Sequence, residues 1–432
     1  MDSRALAARI LAQVLEKGKN LDSSYAELIP ATIDHREQAF IKELCFGVLR
    51  WYQRLEFYLG RLLNKPGKRM DTVIQALMMC GLYQLEFLRT PAHAGVSATV
   101  DAAAHLQKPW AKSLINAILR RYLHESGQLA QAINGSEPAL YAHPQWLIDA
   151  IRKDWPAQWQ AILGAGNQKP PMYLRINLPK VTRADYLQLL KSNQIEAEAA
   201  SGPACAIKLT KPIDVSKLPG FAEGLVSVQD ISAQQAAPLL DVHPGQRVLD
   251  TCAAPGGKCA HIVETQPLLS KLTAVEREPL RMARLRENCR RMGLKIDLRQ
   301  ADAGVPEQWW DGIPYDRILL DVPCSATGVV RRHPDIKVLR KAHDIENFVE
   351  QQYRLLSTAW SMLRSPGRLL YVTCSVLAEE NDRQLEKFLK NYPDAGIIDM
   401  IENCAVKTRY GIQTLPGIGD ADGFYYAVLV KH

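Results

Sequence analysis

"LDTCAAPGGKCAH", residues 249 to 261, decides the fold. An apolar run stops on a turn of small residues, and an amphipathic segment follows, the pattern of a strand entering a helix through a tight loop. The Gly256-Gly257 pair lets the backbone approach a ligand closely, and the helix N-terminus beyond it offers unpaired amides. The turn is not a Walker loop. That pattern needs glycine where Cys252 stands and serine or threonine where Cys259 stands.

Outward from this turn the chain alternates. "RVLDTC", "LTAVER", "KIDLRQAD", "YDRILLDVPC" and "RLLYVTCS" read as short apolar strands, separated by helical stretches such as "EPLRMARLRENCRRMG", which Gly293 closes. Alternation of this kind implies right-handed crossovers and a parallel sheet, a doubly wound α/β domain over residues 236–432. "GFYYAVLVK" reads as one more strand, antiparallel at the sheet edge. Residues 1–140 carry a different period. Leu6, Ile10 and Val14, with Ala7, Leu11 and Leu15 beside them, fall on one helical face, and four more helical stretches follow. "NKPGKRM" breaks that pattern at Pro66 and Gly67. Between the two, residues 141–235 read as a small α/β module.

Composition excludes several classes. With 47% hydrophobic and 23% charged residues the 432-residue chain is ordinary globular protein, not a disordered one. No apolar run is long enough to span a bilayer and the N-terminus lacks a signal-peptide profile, so no membrane partner and a cytoplasmic site are expected. Nine scattered cysteines without Cys-x-x-Cys spacing predict reduced thiols and no metal. The net charge of +7 permits a polyanionic partner. Residues 1–140 hold 17 Lys or Arg against 13 Asp or Glu, with a cluster at Arg61, Lys65, Lys68 and Arg69. Trp51, Trp110, Trp146, Trp155 and Trp159 are candidate base-stacking residues, although packing is the commoner fate of each.

In an open α/β sheet, ligands sit beyond the carboxyl ends of the strands. Glu276, Asp302 and Asp321 stand at three successive ends, sharing a rim with the glycine turn. Without a Gly-x-Gly-x-x-Gly, the rim suits a nucleoside cofactor lacking pyrophosphate, such as S-adenosylmethionine, better than NAD. Cys324 and Cys374 also fall at strand ends facing this rim, whereas Cys45, Cys80 and Cys289 lie in amphipathic helices. Arg331, Arg332 and Lys337 follow closely after Cys324 and are candidates to hold a substrate backbone or to lower a thiol pKa.

"DTCAAPGGK", "DVPCSATGVVRRHPDIK", "YVTCSVLAEEN" and "DGFYYAVL" together resemble the motifs of the RNA cytosine-5 methyltransferases of the NOL1/NOP2/Sun family. "ELCFGVLR" and "LINAILRR" resemble a NusB-like RNA-binding domain. The combination spans essentially the whole chain and is similar to the branch that methylates a cytosine of small-subunit ribosomal RNA. The resemblance implies a Rossmann-like methyltransferase domain at the C-terminus, a NusB-like domain over 1–140 and an RNA-binding α/β module between them. It implies S-adenosylmethionine held by Cys252, Ala253, Ala254, Pro255, Gly256, Gly257 and Lys258, with Glu276, Asp302 and Asp321. It makes Cys374 the nucleophile on C6 of cytosine, Cys324 the group that assists product release, and Asp321 a hydrogen-bonding partner of ring N3. A monomer acting on ribosomal RNA is expected. Two departures from the family pattern, Glu276 in place of the commoner Asp and alanines rather than glycines beside Asp302, keep their carboxylates. Rival readings are the same reaction on another RNA such as tRNA, a DNA cytosine-5 methyltransferase with the Pro-Cys cysteine as nucleophile, a non-catalytic RNA-binding assembly factor and an NAD-dependent oxidoreductase.

Overall fold

Asp2 caps the first helix, Ser3–Lys17, by accepting from the amides of Arg4 and Ala5, and Gly18 ends it in the left-handed region. Ile10, Leu11 and Val14 face inward from it, as the period requires, onto helices His35–Arg50 and Thr72–Phe87. This computed structural model describes residues 2–30, 32–63, 70–400 and 405–432. It gathers the chain into two units, Met1–Lys169 with Val330–Ala342, and Pro170–Val329 with His343–His432. Lys65, Lys68 and Arg69 of the basic cluster, the break at Pro66 and Gly67, and Cys404 lie outside the described residues.

The helical unit runs further than its sequence period. Helices Gln145–Asp154 and Trp159–Gly166 belong to it, and so does the segment 330–342, expected within the α/β domain. The reason is packing. Val338 and Leu339 lie against the helical core, Asp335 accepts from the Leu21 amide at 3.0 Å, and Lys337 donates to the Arg50 carbonyl at 2.8 Å.

The second unit holds two sheets. Strands β1 (Met172–Ile176), β2 (Ala197–Ala199), β3 (Ala206–Leu209) and β4 (Val226–Val228) form an antiparallel sheet in the order β2-β3-β1-β4, with helix Arg183–Ser192 beside it. The larger sheet contains β5 (Arg247–Asp250), β6 (Lys271–Glu276), β7 (Asp297–Gln300), β8 (Tyr315–Asp321) and β9 (Leu363–Thr373), all parallel. It continues with β10 (Ala395–Ile398), β11 (Val406–Lys407), β12 (Ile412–Thr414) and β13 (Phe424–Lys431). The order is β11-β12-β13-β9-β8-β5-β6-β7, with β10 pairing β13.

β13 is antiparallel to β9, as expected, but it is not an edge strand. β10 and β12 also pair with it, and Phe424 through Leu429 are all buried. An unbroken apolar run is the mark of a strand covered on both faces. The order reverses at β5, with β6 and β7 to one side and β8 and β9 to the other, so the crevice opens beyond the ends of β5 and β8.

Candidate active site

β5 ends on Asp250, and the chain crosses the small residues 251–256 into helix Gly257–Thr265. Gly256 has φ +102°, and a Cβ there would lie 2.7 Å from a Leu285 methyl, so only glycine fits on both counts. The loop's carbonyls are held from outside. Arg281 donates to Ala254 O and Asn288 to Pro255 O, both at 2.9 Å, and Arg175 of β1 donates to Gly257 O at 2.5 Å. Lys258 reaches Asp321 at the end of β8, Nζ to Oδ2 2.5 Å, with the Phe424 ring centroid 5.2 Å from Nζ. Burial opposes the Lys258 charge, yet Asp321, Cys374 and Asp250 together raise its pKa, so it stays an ammonium.

The expected acids do come to this rim. Glu276 Oε1 accepts from the Glu278 amide at 2.9 Å, while Oε2 is buried with no hydrogen-bond partner among the described residues and the Arg281 guanidinium is 3.5 Å away. Asp302 accepts from Gly304 N at 2.8 Å and pairs with Arg354 at 3.1 Å. Burial works against its charge, but the Gly304 amide and Arg354 hold its pKa below the usual value. These two acids, with Thr251, Cys252, Ala303 and Pro323, line one pocket. The residues fit a nucleoside cofactor. A carboxylate oxygen without a hydrogen-bond partner lines this pocket, where ribose hydroxyls can donate, and a glycine-built helix start follows the same loop.

Sequence pattern passes over one acid here. Asp250 is buried, and both its oxygens lack hydrogen-bond partners among the described residues. Burial first, and then the negative charge of Asp321, pushes its pKa up to about 7. Its signal in the sequence is its place as the last residue before the glycine turn.

The two cysteines meet. Cys324 Sγ and Cys374 Sγ lie 3.3 Å apart, one on the turn after β8 and the other directly after β9. Cys324 is the more buried, and its hydrogen bond to Cys374, followed by burial, raises its pKa well above the ordinary thiol value. Either sulfur can donate in the bond between them, and Cys374 is the partly exposed one. Beneath them lies Glu380, also passed over by the sequence reading. Its fully buried carboxylate accepts from Ser325 N at 2.8 Å, Gln352 Nε2 at 3.0 Å, and the Ser325 and Ser375 hydroxyls at 2.5 Å each.

Arg331, Arg332 and Lys337 are not displayed cations. All three lie in the segment grouped with the helices. Arg331 and Lys337 are buried and Arg332 is half-buried. Lys337 Nζ donates to Arg50 O at 2.8 Å and Asn167 Oδ1 at 2.5 Å, and burial lowers its pKa well below the usual value. It does the work of a buried donor. Among the tryptophans, Trp51 stacks on Phe87 and Trp159 meets Tyr141 edge-on, whereas Trp110 is 61% exposed.

Three family descriptions match the chain. "16S rRNA methyltransferase RsmB/F" matches residues 237–430, "NusB family" matches 1–124, and the RsmF/B-like ferredoxin-like domain matches 143–216. The chain is 45% identical to the ribosomal RNA small subunit methyltransferase B of Pseudomonas syringae pv. tomato, over all of this chain and 97% of that one. It is also 45% identical to the protein of the same name from Pseudomonas putida, over all of this chain and 99% of that one. The fold is similar to the crystal structure of NSun6 from Pyrococcus horikoshii with SFG, at TM-score 0.61 and 20% identity, over 68% of this chain and 99% of that one.

Proposed function

Since this chain belongs to the ribosomal RNA small subunit methyltransferase B family, we propose that it methylates C5 of a cytidine in 16S ribosomal RNA through a covalent adduct of Cys374 with C6. It is an S-adenosylmethionine-dependent ribosomal RNA methyltransferase with an N-terminal NusB-like domain and a ferredoxin-like module. The observation that carries the finer reading is the Cys324–Cys374 pair, 3.3 Å apart, on the rim that also holds Lys258 and Asp321.

S-adenosylmethionine supplies an electrophilic methyl group when bound, with Glu276 Oε2 placed to accept from ribose and the 252–258 loop lining the crevice. Cytosine C5 is a poor nucleophile until C6 is attacked. The Cys374 thiolate bonds to C6, the C5–C6 double bond opens, and the electron pair relayed through the ring is neutralised by a proton that N3 takes from solvent. Asp321, held by the Lys258 ammonium, faces that proton and keeps it on the ring. C5 then takes the methyl group and N3 gives up its proton, the C5 proton passes to water, and the electron pair of that C–H bond restores the double bond as the thiolate leaves C6. Cys324, protonated and touching Cys374 sulfur, returns a proton to the departing thiolate. Arg332, half-buried, and the exposed Trp110 are the surface groups best suited to contacting RNA among those singled out by sequence.

Nucleoside analysis tests the chemistry. Unmethylated small-subunit RNA incubated with the enzyme and methyl-labelled S-adenosylmethionine should yield labelled 5-methylcytidine after digestion. Label on a ring nitrogen, a ribose oxygen or another base contradicts the proposal.

A further inference from the structure

We propose that Glu380 is a positioning residue for methyl transfer: one carboxylate ties the two cysteine-bearing turns together and so sets the separation of their sulfurs. This rests on the assignment of Cys374 to attack and Cys324 to release.

The residues flanking both cysteines converge on this acid. Ser325 follows Cys324, and both its amide and its hydroxyl donate to Glu380. Ser375 follows Cys374, and its hydroxyl donates to the same Oε2. Gln352 donates both to Glu380 Oε1 and to the carbonyl of Pro323, the residue before Cys324, at 3.0 Å each. The Tyr371 hydroxyl, from near the end of β9, donates to the Glu380 carbonyl at 2.8 Å and so fixes the acid's own backbone. A further bond, Gly328 N to Cys374 O at 2.9 Å, closes the two turns on each other.

The four donors on the carboxylate are neutral groups, so the acid is not there to cancel a cation. Stability alone does not ask for this arrangement, because well-packed apolar residues of similar volume generally serve a core as well as a buried charge does. Geometry does ask for it. The two thiols act in sequence on one ring, and a displacement of about 1 Å at reacting atoms can cost about a hundredfold in rate. The strands themselves do not fix the sulfurs, since both cysteines lie past the paired residues of β8 and β9. Sharing one acceptor does.

Glu380→Gln keeps the shape while removing the charge that orders both hydroxyls. Its single-turnover methylation rate should fall at least about tenfold. The KM for S-adenosylmethionine and the affinity for RNA should stay within about twofold, since the acid is fully buried. The double variant Ser325→Ala with Ser375→Ala leaves the acid in place and should show the same split, which decides the matter if Glu380→Gln does not fold. A wild-type rate in either folded variant overturns the proposal, as does a loss of rate matched by an equal loss of cofactor affinity and melting temperature. Cys324→Ala is run alongside as a reference for the covalent protein–RNA adduct. If that adduct forms and Glu380→Gln behaves as wild type, only the clamp is wrong. If no adduct forms with Cys324→Ala, the two-cysteine reading and the clamp fall together.

Discussion

Asp250 shows what a single residue in this site costs the fold. Its pKa of about 7 lies above the ordinary 3.8, so the folded state favours the protonated form more than the unfolded chain does. The stabilising contribution is then fully present below about pH 4 and is lost as pH rises through about 7. Across that window the loss is on the order of 4 kcal/mol for a fully buried group. Asp250→Asn should therefore melt above the wild type at pH 8 and level with it at pH 4, measured without cofactor. An equal difference at both pH values would contradict this origin. The sequence marks Asp250 only as the end of an apolar strand. Its burial follows from the pairing of β5 between β6 and β8, which no local pattern records. Cys374 and Cys324 were more legible, because a thiol ending an apolar run at a ligand rim is unusual wherever it occurs. Glu380 was printed in the same "AEEN" yet unreadable, because its partners come from residues 28 and 55 positions away.

At the scale of elements, strand and helix alternation was plain wherever runs were long and apolar. The antiparallel β13 was visible for that reason, and its interior place was not, because β10, β11 and β12 are short and only partly apolar. The link between the small sheet and the glycine loop was also hidden. Arg175 on β1, its side chain fully enclosed, forms a bidentate pair with Glu264 of helix Gly257–Thr265, 2.9 Å on both arms, and adds bonds to Gly257 O and Gln229. In sequence, Arg175 is one basic residue in an apolar strand, indistinguishable from a solvated one. Arg175→Met strands the Glu264 charge, which costs about 3–5 kcal/mol in urea unfolding. It also frees the Gly257 carbonyl, so the KM for S-adenosylmethionine should rise more than kcat falls. Unchanged stability and KM would show the pair to be dispensable.

For the whole molecule, the succession of helical, mixed and parallel-sheet regions was readable from the change of hydrophobic period. The membership of residues 330–342 was not, because that segment leaves the α/β unit in space while staying in its sequence. Its cations looked like substrate contacts, yet Arg331 and Lys337 are buried and Lys337 donates to the Arg50 carbonyl. Among the described residues no helix is long and apolar enough to cross a membrane. The proposed reaction depends on a division of labour between the two thiols, and one pair of variants tests it most directly. Cys374→Ala and Cys324→Ala are each incubated with small-subunit RNA and labelled S-adenosylmethionine, then resolved under denaturing conditions. Cys374→Ala should neither methylate nor cross-link, and Cys324→Ala should accumulate a covalent protein–RNA adduct. An adduct formed by Cys374→Ala and absent from Cys324→Ala would contradict the account.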